Sequence, residues 1–142
     1  MRLTLGLLAE AANATADNKL NILGEFNVIQ STEFPFTIPT LTLVFRLEAD
    51  GSETDEHAFH VQLLDDDGNL VRPLVGGRFK LGPSGYEGVP RRIQAVLPIQ
   101  LASFDRPGTY RFDILVDNAR PEVVNPIEVH VVLVTPPGQS AS

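Results

Sequence analysis

The chain has no cysteine, no tryptophan, one methionine and three histidines. Without a thiol there is no cysteine nucleophile, no thiolate metal site and no disulfide staple. With tryptophan missing and only two tyrosines, the exposed aromatic platform on which sugar rings stack is poorly supplied. Positive charge is scarce too: eleven Lys and Arg stand against eighteen Asp and Glu, a net charge of −7. Nucleic-acid binding rests on clustered cations that neutralise phosphates, and an anionic membrane surface attracts the same residues. The expectation is therefore no nucleic acid and no membrane. No run approaches the roughly eighteen apolar residues that a membrane-spanning helix needs. Leu3 to Ala9 imitates the apolar part of a secretory leader. It is only about seven residues long, Glu10 follows at once, and its alternation reads as a strand. The expected location is cytoplasmic.

What is present is a two-residue beat. Leu41, Leu43, Phe45 and Leu47 alternate with Thr42, Val44, Arg46 and Glu48. Tyr110, Phe112, Ile114 and Val116 alternate with Arg111, Asp113, Leu115 and Asp117, and Ile127, Val129, Val131 and Leu133 repeat the pattern. Successive strand side chains point to opposite faces, so this period means strands with one buried face. A chain of 142 residues that is 43% apolar is one domain, able to hold a core without staples. The expected boundaries are 1–134 for that domain and 135–142 for a disordered Pro/Gly/Ser-rich tail.

Turn chemistry divides the beat into eight or nine strands. The first covers about 2–11 and ends in the polar turn Asn13 to Lys19. The second carries Leu20, Ile22, Phe26 and Val28 on one face, with Gly24 marking a bulge or a close approach. Ser31 to Pro39 reads as an extended crossover. Strands follow at about 41–49 and 57–64, then the hairpin turn Asp65-Asp66-Asp67-Gly68-Asn69. A brief strand through Leu70 and Val71, another near Arg78–Leu81, and longer ones at 91–101, 109–117 and 127–134 complete the set. Pro98 cannot donate to a ladder, which places its strand at an edge or a bulge. No helix of ten residues is expected; the nearest is a short turn near Leu101–Asp105. The fold class is all-β, a two-sheet antiparallel sandwich of immunoglobulin-like type. Its sharpest sign is Pro107-Gly108 feeding a strand whose first inward residue is Tyr110, where such sandwiches tie a tyrosine hydroxyl to an upstream backbone group.

Chemistry-bearing motifs are thin. The Asp65–Asp67 turn lacks the alternating spacing and distal glutamate of a calcium loop. His57 and His60 fall on opposite faces of one strand, and His60 and His130 point outward. Ser84 has no helix after it and no glycine two places on, so no nucleophile elbow forms. No cofactor, catalytic residue or metal ligand is expected. A pocket joining His57 or His130 to carboxylates is the observation that would favour an enzyme.

Charge, by contrast, is segregated along the chain. Glu48 to Asp67 holds eight acidic residues and no Lys or Arg: Glu48, Asp50, Glu53, Asp55, Glu56, Asp65, Asp66 and Asp67. Leu70 to Arg92 holds Arg72, Arg78, Lys80, Arg91 and Arg92 against the single acid Glu87. An acidic edge meeting a basic one favours head-to-tail contact between copies. Leu8, Leu23, Ile29, Val44, Leu115, Val132 and Val134 are off-phase with the main core. They make an outer face that calls for cover, by the chain's own loops or by a partner.

The opening Leu7-Leu8-Ala9-Glu10-Ala11-Ala12-Asn13 through Asp17-Asn18-Lys19-Leu20-Asn21-Ile22-Leu23-Gly24 resembles the start of an uncharacterised bacterial family of small proteins, a domain of unknown function. In that family a hairpin of this kind precedes a sandwich closed by a Pro-Gly-x-Tyr-x-Phe strand, here Pro107 to Phe112. Asn18 stands where a glycine is usual in the turn. The resemblance spans roughly residues 3–134 and implies the fold, but no activity and no site residue. The expected function is a non-enzymatic module acting through protein–protein contacts, as a homo-oligomer or with another protein. The alternative is a small-molecule or carbohydrate-binding module using Phe34, Phe36, Tyr86 and the Asp65–Asp67 turn.

Overall fold

The computed structural model describes residues 1–50, 56–82 and 86–136. Among these, ten strands form and no helix: β1 (Arg2–Ala14), β2 (Leu20–Phe26), β3 (Val28–Ser31), β4 (Phe36–Ala49), β5 (Glu56–Leu64), β6 (Leu70–Lys80), β7 (Arg91–Phe104), β8 (Gly108–Val116), β9 (Glu122–Val123) and β10 (Ile127–Leu133). One sheet runs β2-β1-β4-β7, with β9 alongside β1; the other runs β3-β10-β8-β5-β6. Pairings are antiparallel except β1 with β9 and β10 with β3.

The beat translates directly into the core. Leu41, Leu43, Phe45 and Leu47 of the first sheet are buried against Tyr110, Phe112, Ile114 and Val129 of the second. Phe45 meets Phe59 edge-on at 5.8 Å across the gap. The strands β4 and β7 in one sheet and β5, β8 and β10 in the other take the places of strands B, E, C, F and G in an immunoglobulin-like sandwich. The corner expected at Tyr110 is present, its hydroxyl donating to the Arg106 carbonyl at 2.7 Å. Pro98 lies on β7 and Pro73 on β6, each an outermost strand, where a missing N–H removes no ladder bond.

Several departures share one cause, which is that phase is reset where the backbone irregularly gains or loses a residue. An extra residue at Thr4 shifts the β1–β4 register, so Leu3 faces Leu47 while Leu8 faces Leu43. Leu8 thus joins the core with Leu3, and Leu5, Leu7 and Ala9 turn to the outer face. The same shift aims Gly6 inward, where a Cβ would lie 2.3 Å from Ile127 Cγ1. The expected second strand is two strands: at Asn27 the chain leaves one sheet for the other, which restarts the beat and buries Ile29. The two short strands expected at 70–71 and 78–81 are one continuous β6, kept in register with β5 by two shifts. β4 begins at Phe36, inside the expected crossover, and β7 runs to Phe104 through the turn expected near Leu101. Gly24 causes no bulge, since the β1–β2 register is unbroken around it. Its φ of +69° and the Glu10 side chain 2.9 Å from a built Cβ explain the glycine instead. Positions 137–142 of the expected tail lie outside the described residues.

β1 pairs with β4 only as far as Ala9, while its pairing with β2 continues to Ala14. The distal half of that hairpin is a two-stranded ribbon. Its turn is held at β7: Gln94 Nε2 donates to the Asn18 carbonyl at 2.7 Å and to Asn18 Oδ1 at 3.1 Å. Arg46 Nε donates in turn to Gln94 Oε1 at 2.8 Å, fixing the amide. The ribbon therefore folds back over the outer face of its own sheet. That accounts for Ala9 and Val44, which point away from the core yet are fully buried. Of the off-phase apolar residues, Leu8 and Ile29 belong to the core, Val44 is covered by the ribbon, and Leu23 stays exposed.

Candidate functional site

Gly6 packs on Ile127 and Phe45 on Phe59, so β1 lies over β10 and β4 over β5. Two flanks follow. β6 and β7 are the free edges on one side, and β2, β3 and the start of β10, which β3 does not reach, form the other.

The five basic residues singled out in the sequence all fall on the first flank. Arg72, Arg78 and Lys80 are on β6, Arg91 and Arg92 on β7. Between them Val71, Leu74, Val75, Phe79, Ile93 and Leu97 are only half-buried, because no further strand closes the sandwich here. Two register shifts and Pro73 irregularise β6, and Pro98 removes a donor from β7. These are the devices by which sheet edges discourage strand addition.

The described part of the acidic run divides between the two ends of β5. Glu53 and Asp55 lie outside the described residues. Glu48 and Asp50 each approach Arg2 at 3.7 Å, and Arg91 donates to the Asp50 carbonyl at 3.2 Å. Glu56 faces Lys80 across the β5–β6 ladder. Asp65, Asp66 and Asp67 sit at the other end of β5, in the hairpin turn. Asp65 Oδ1 accepts from the Asp67 and Asn69 N–H groups, its other oxygen is 3.8 Å from Arg106, and Asp66 accepts from Thr109 N at 2.9 Å. The Asp65 and Asp66 carboxylates are thus spent on the turn and on docking it to the Tyr110 corner. Segregation along the chain becomes interleaving in space, because the acidic and basic segments belong to strands that pair with one another.

A different cluster went unremarked in the sequence. His57 is inward-facing and buried, stacked on Phe79 at 5.3 Å, with Nδ1 2.6 Å from Asp117 Oδ2. Asp117 Oδ1 accepts from Ala58 N at 3.0 Å. These two bonds, the backbone one foremost, hold the Asp117 carboxyl below the usual carboxylate range. Asp117 and Asn118 both take left-handed backbone, with φ of 50° and 63°. The pair borders a cleft of about 210 Å³ lined also by Met1, Ala119, Arg120, Pro121 and Glu122. This is one of two pockets joining a histidine to carboxylates, the observation that would favour an enzyme; the other sets His130 beside Glu25 and Glu128. The described lining of the His57 pocket contains no hydroxyl or thiol to act as nucleophile. Nothing in the sequence put His57 beside Asp117, sixty positions on and just past the end of β8, whose pairing with β5 only the fold reveals. His130 takes the other expected place, on an outer face and bonded across the ladder to Thr109 Oγ1 at 3.0 Å. Among the described residues no group of three His, Cys, Asp or Glu is placed to hold a metal ion. No helix there is long and apolar enough to cross a membrane.

The aromatic residues of the alternative reading do not assemble. Phe34 and Phe36 pack against the core, and Tyr86 is largely exposed.

Strand order, corner and closed core define the molecule as an immunoglobulin-like β-sandwich. The chain belongs to a family of unknown function, DUF6941, whose model matches residues 4–131. No curated protein and no solved structure matches it.

Proposed function

We propose that this chain is a non-enzymatic β-sandwich module that acts in the cytoplasm through protein–protein contacts. The observation that carries the reading is the β6–β7 flank, a strip of half-exposed aliphatic side chains rimmed by Arg72, Arg78, Lys80 and Arg92. An apolar centre with an arginine-rich polar rim is the anatomy of a contact surface. Because prolines and register shifts blunt both edges, the docking is by side chains rather than by an added strand. The test compares what the wild-type chain and a Leu74→Asp, Arg78→Glu variant retain from native lysate, each first shown to keep its unfolding midpoint. Proteins held by the wild type and lost by the variant support the reading. Equal retention by both removes this flank as the surface.

A second reading, a small-molecule-binding module, has one observation behind it: the cleft bordered by the His57–Asp117 pair. A ligand seated there raises the unfolding midpoint of the wild type and has a smaller effect on Asp117→Asn. A metabolite set that shifts neither chain counts against it.

A further inference from the structure

We propose that copies of this chain assemble head to tail, the β6–β7 flank of one against the β2–β3–β10 flank of the next. This rests on the reading of the molecule as a contact module and names its partner as a second copy.

The sequence put the acidic partner surface in residues 48–67, where Glu48, Asp65 and Asp66 bind groups of their own molecule. The structure supplies another. Glu10 on β1, Glu25 on β2, Glu33 just after β3, Glu122 on β9 and Glu128 on β10 are all exposed and all lie on the flank opposite the basic one. β9 is on this side because β1 gives its other edge to β4. Among the described residues none of the five forms an ion pair, and the nearby Arg120 is committed to Asp113 at 3.1 Å. On the basic flank Arg72, Arg78, Lys80 and Arg92 likewise form no ion pair with a described residue, and the buried Nε of Arg72 has no hydrogen-bond partner among them. Lys80 faces Glu56, Arg92 faces Glu48, Glu128 faces Arg111 and Glu122 faces Arg2 across their ladders. Arg72, Arg78, Glu10, Glu25 and Glu33 face no opposite charge in this way, which leaves each flank with an excess of one sign.

Shape agrees with charge. Glu25 and Glu128 border one groove of about 230 Å³, with Leu8, Phe26 and Ile127 among its walls. A guanidinium entering it meets carboxylates on both rims, the geometry in which arginine pairs most strongly. Exposed Val28 and Leu133 on this flank offer apolar area to match the half-exposed strip of the other. Two like flanks repel, so a symmetric dimer through either one is disfavoured and the contact joins unlike surfaces. Contacts between unlike surfaces on opposite sides of a molecule make chains or rings rather than closed pairs.

Sedimentation equilibrium on the wild type and two charge-reversed chains tests this, each first shown to unfold like the wild type. One is Arg78→Glu with Lys80→Glu; the other is Glu25→Lys with Glu128→Lys. The wild type gains mass beyond the dimer with concentration at low salt and loses it at high salt. Each reversed chain alone associates at least about tenfold more weakly. Mixing the two in equal amounts restores association, because every flank then finds its opposite. Where a reversal disturbs folding, Glu25→Gln with Glu128→Gln replaces it and weakens association in the same direction. Wild type that stays monomeric at low salt overturns the assembly, while retention of other proteins from lysate still judges the contact reading separately. Association that stops at a dimer, or that ignores both reversals, also overturns it.

Discussion

Tyr110→Phe deletes one oxygen and leaves the ring in place. The hydroxyl donates to the Arg106 carbonyl at 2.7 Å, and the ring meets Phe104 edge-on at 4.9 Å. The ring contact survives the change, so the loss isolates the hydrogen bond. A net protein hydrogen bond is worth about 1 kcal/mol, and Arg106 is exposed, so its carbonyl regains water instead of being stranded. The expected destabilisation is therefore about 1 kcal/mol, which for a domain of this size lowers the melting temperature by about 4 °C. Urea unfolding followed by circular dichroism shows the midpoint falling with an unchanged slope. Tyr110→Ala, which also forfeits the buried ring, costs about 3 kcal/mol or more. If Tyr110→Phe unfolds at the wild-type midpoint, the corner is not holding the turn to β8 and the reasoning fails.

Gly6→Ala drives a methyl into Ile127, with 2.3 Å between the built Cβ and Cγ1, and costs about 1–3 kcal/mol. Combining it with Ile127→Ala should cost less than the sum of the single changes, and strict additivity in a double-mutant cycle would deny the contact. Gln94→Ala cuts the tie between ribbon and β7. Hydrogen exchange should quicken over residues 11–23 and stay the same over β8; unchanged exchange there refutes the latch. Asp117 has a carboxyl pKa below its unfolded value, so it adds stability above the unfolded value that is lost as pH falls through the folded one. Asp117→Asn should therefore flatten the acid side of the stability profile, a small effect because the side chain is half-exposed. An acid limb identical to the wild type contradicts that linkage.

The strands whose side chains alternate without interruption were legible from the residues alone: β4, β8 and β10 sit where the beat put them, and Pro98 marks a true edge. Tyr110 was legible because its turn, Pro107-Gly108, is local chemistry. What stayed hidden depends on partners far away in sequence. The extra residue at Thr4 changes which face Leu5, Leu7 and Leu8 take, and only the register with β4 exposes it. Asn27 hands the chain between sheets without any glycine or proline to signal a break. The Asn18–Gln94 latch and the His57–Asp117 pair join residues sixty or more positions apart. Charge misled for the same reason. Glu56 and Lys80 look like members of opposed blocks, yet antiparallel pairing sets them side by side, whereas Glu25 and Glu128 come together from opposite ends of the chain.

Hydrogen–deuterium exchange of the wild-type protein, compared between dilute and concentrated solution at low salt, bears most directly on contact through the two flanks. Slower exchange on concentration at both 70–80 with 91–100 and 20–33 with 127–133, and nowhere else, is the result expected. Slowing confined to one flank means a symmetric contact, and slowing at neither means that these surfaces do not meet; either contradicts the account.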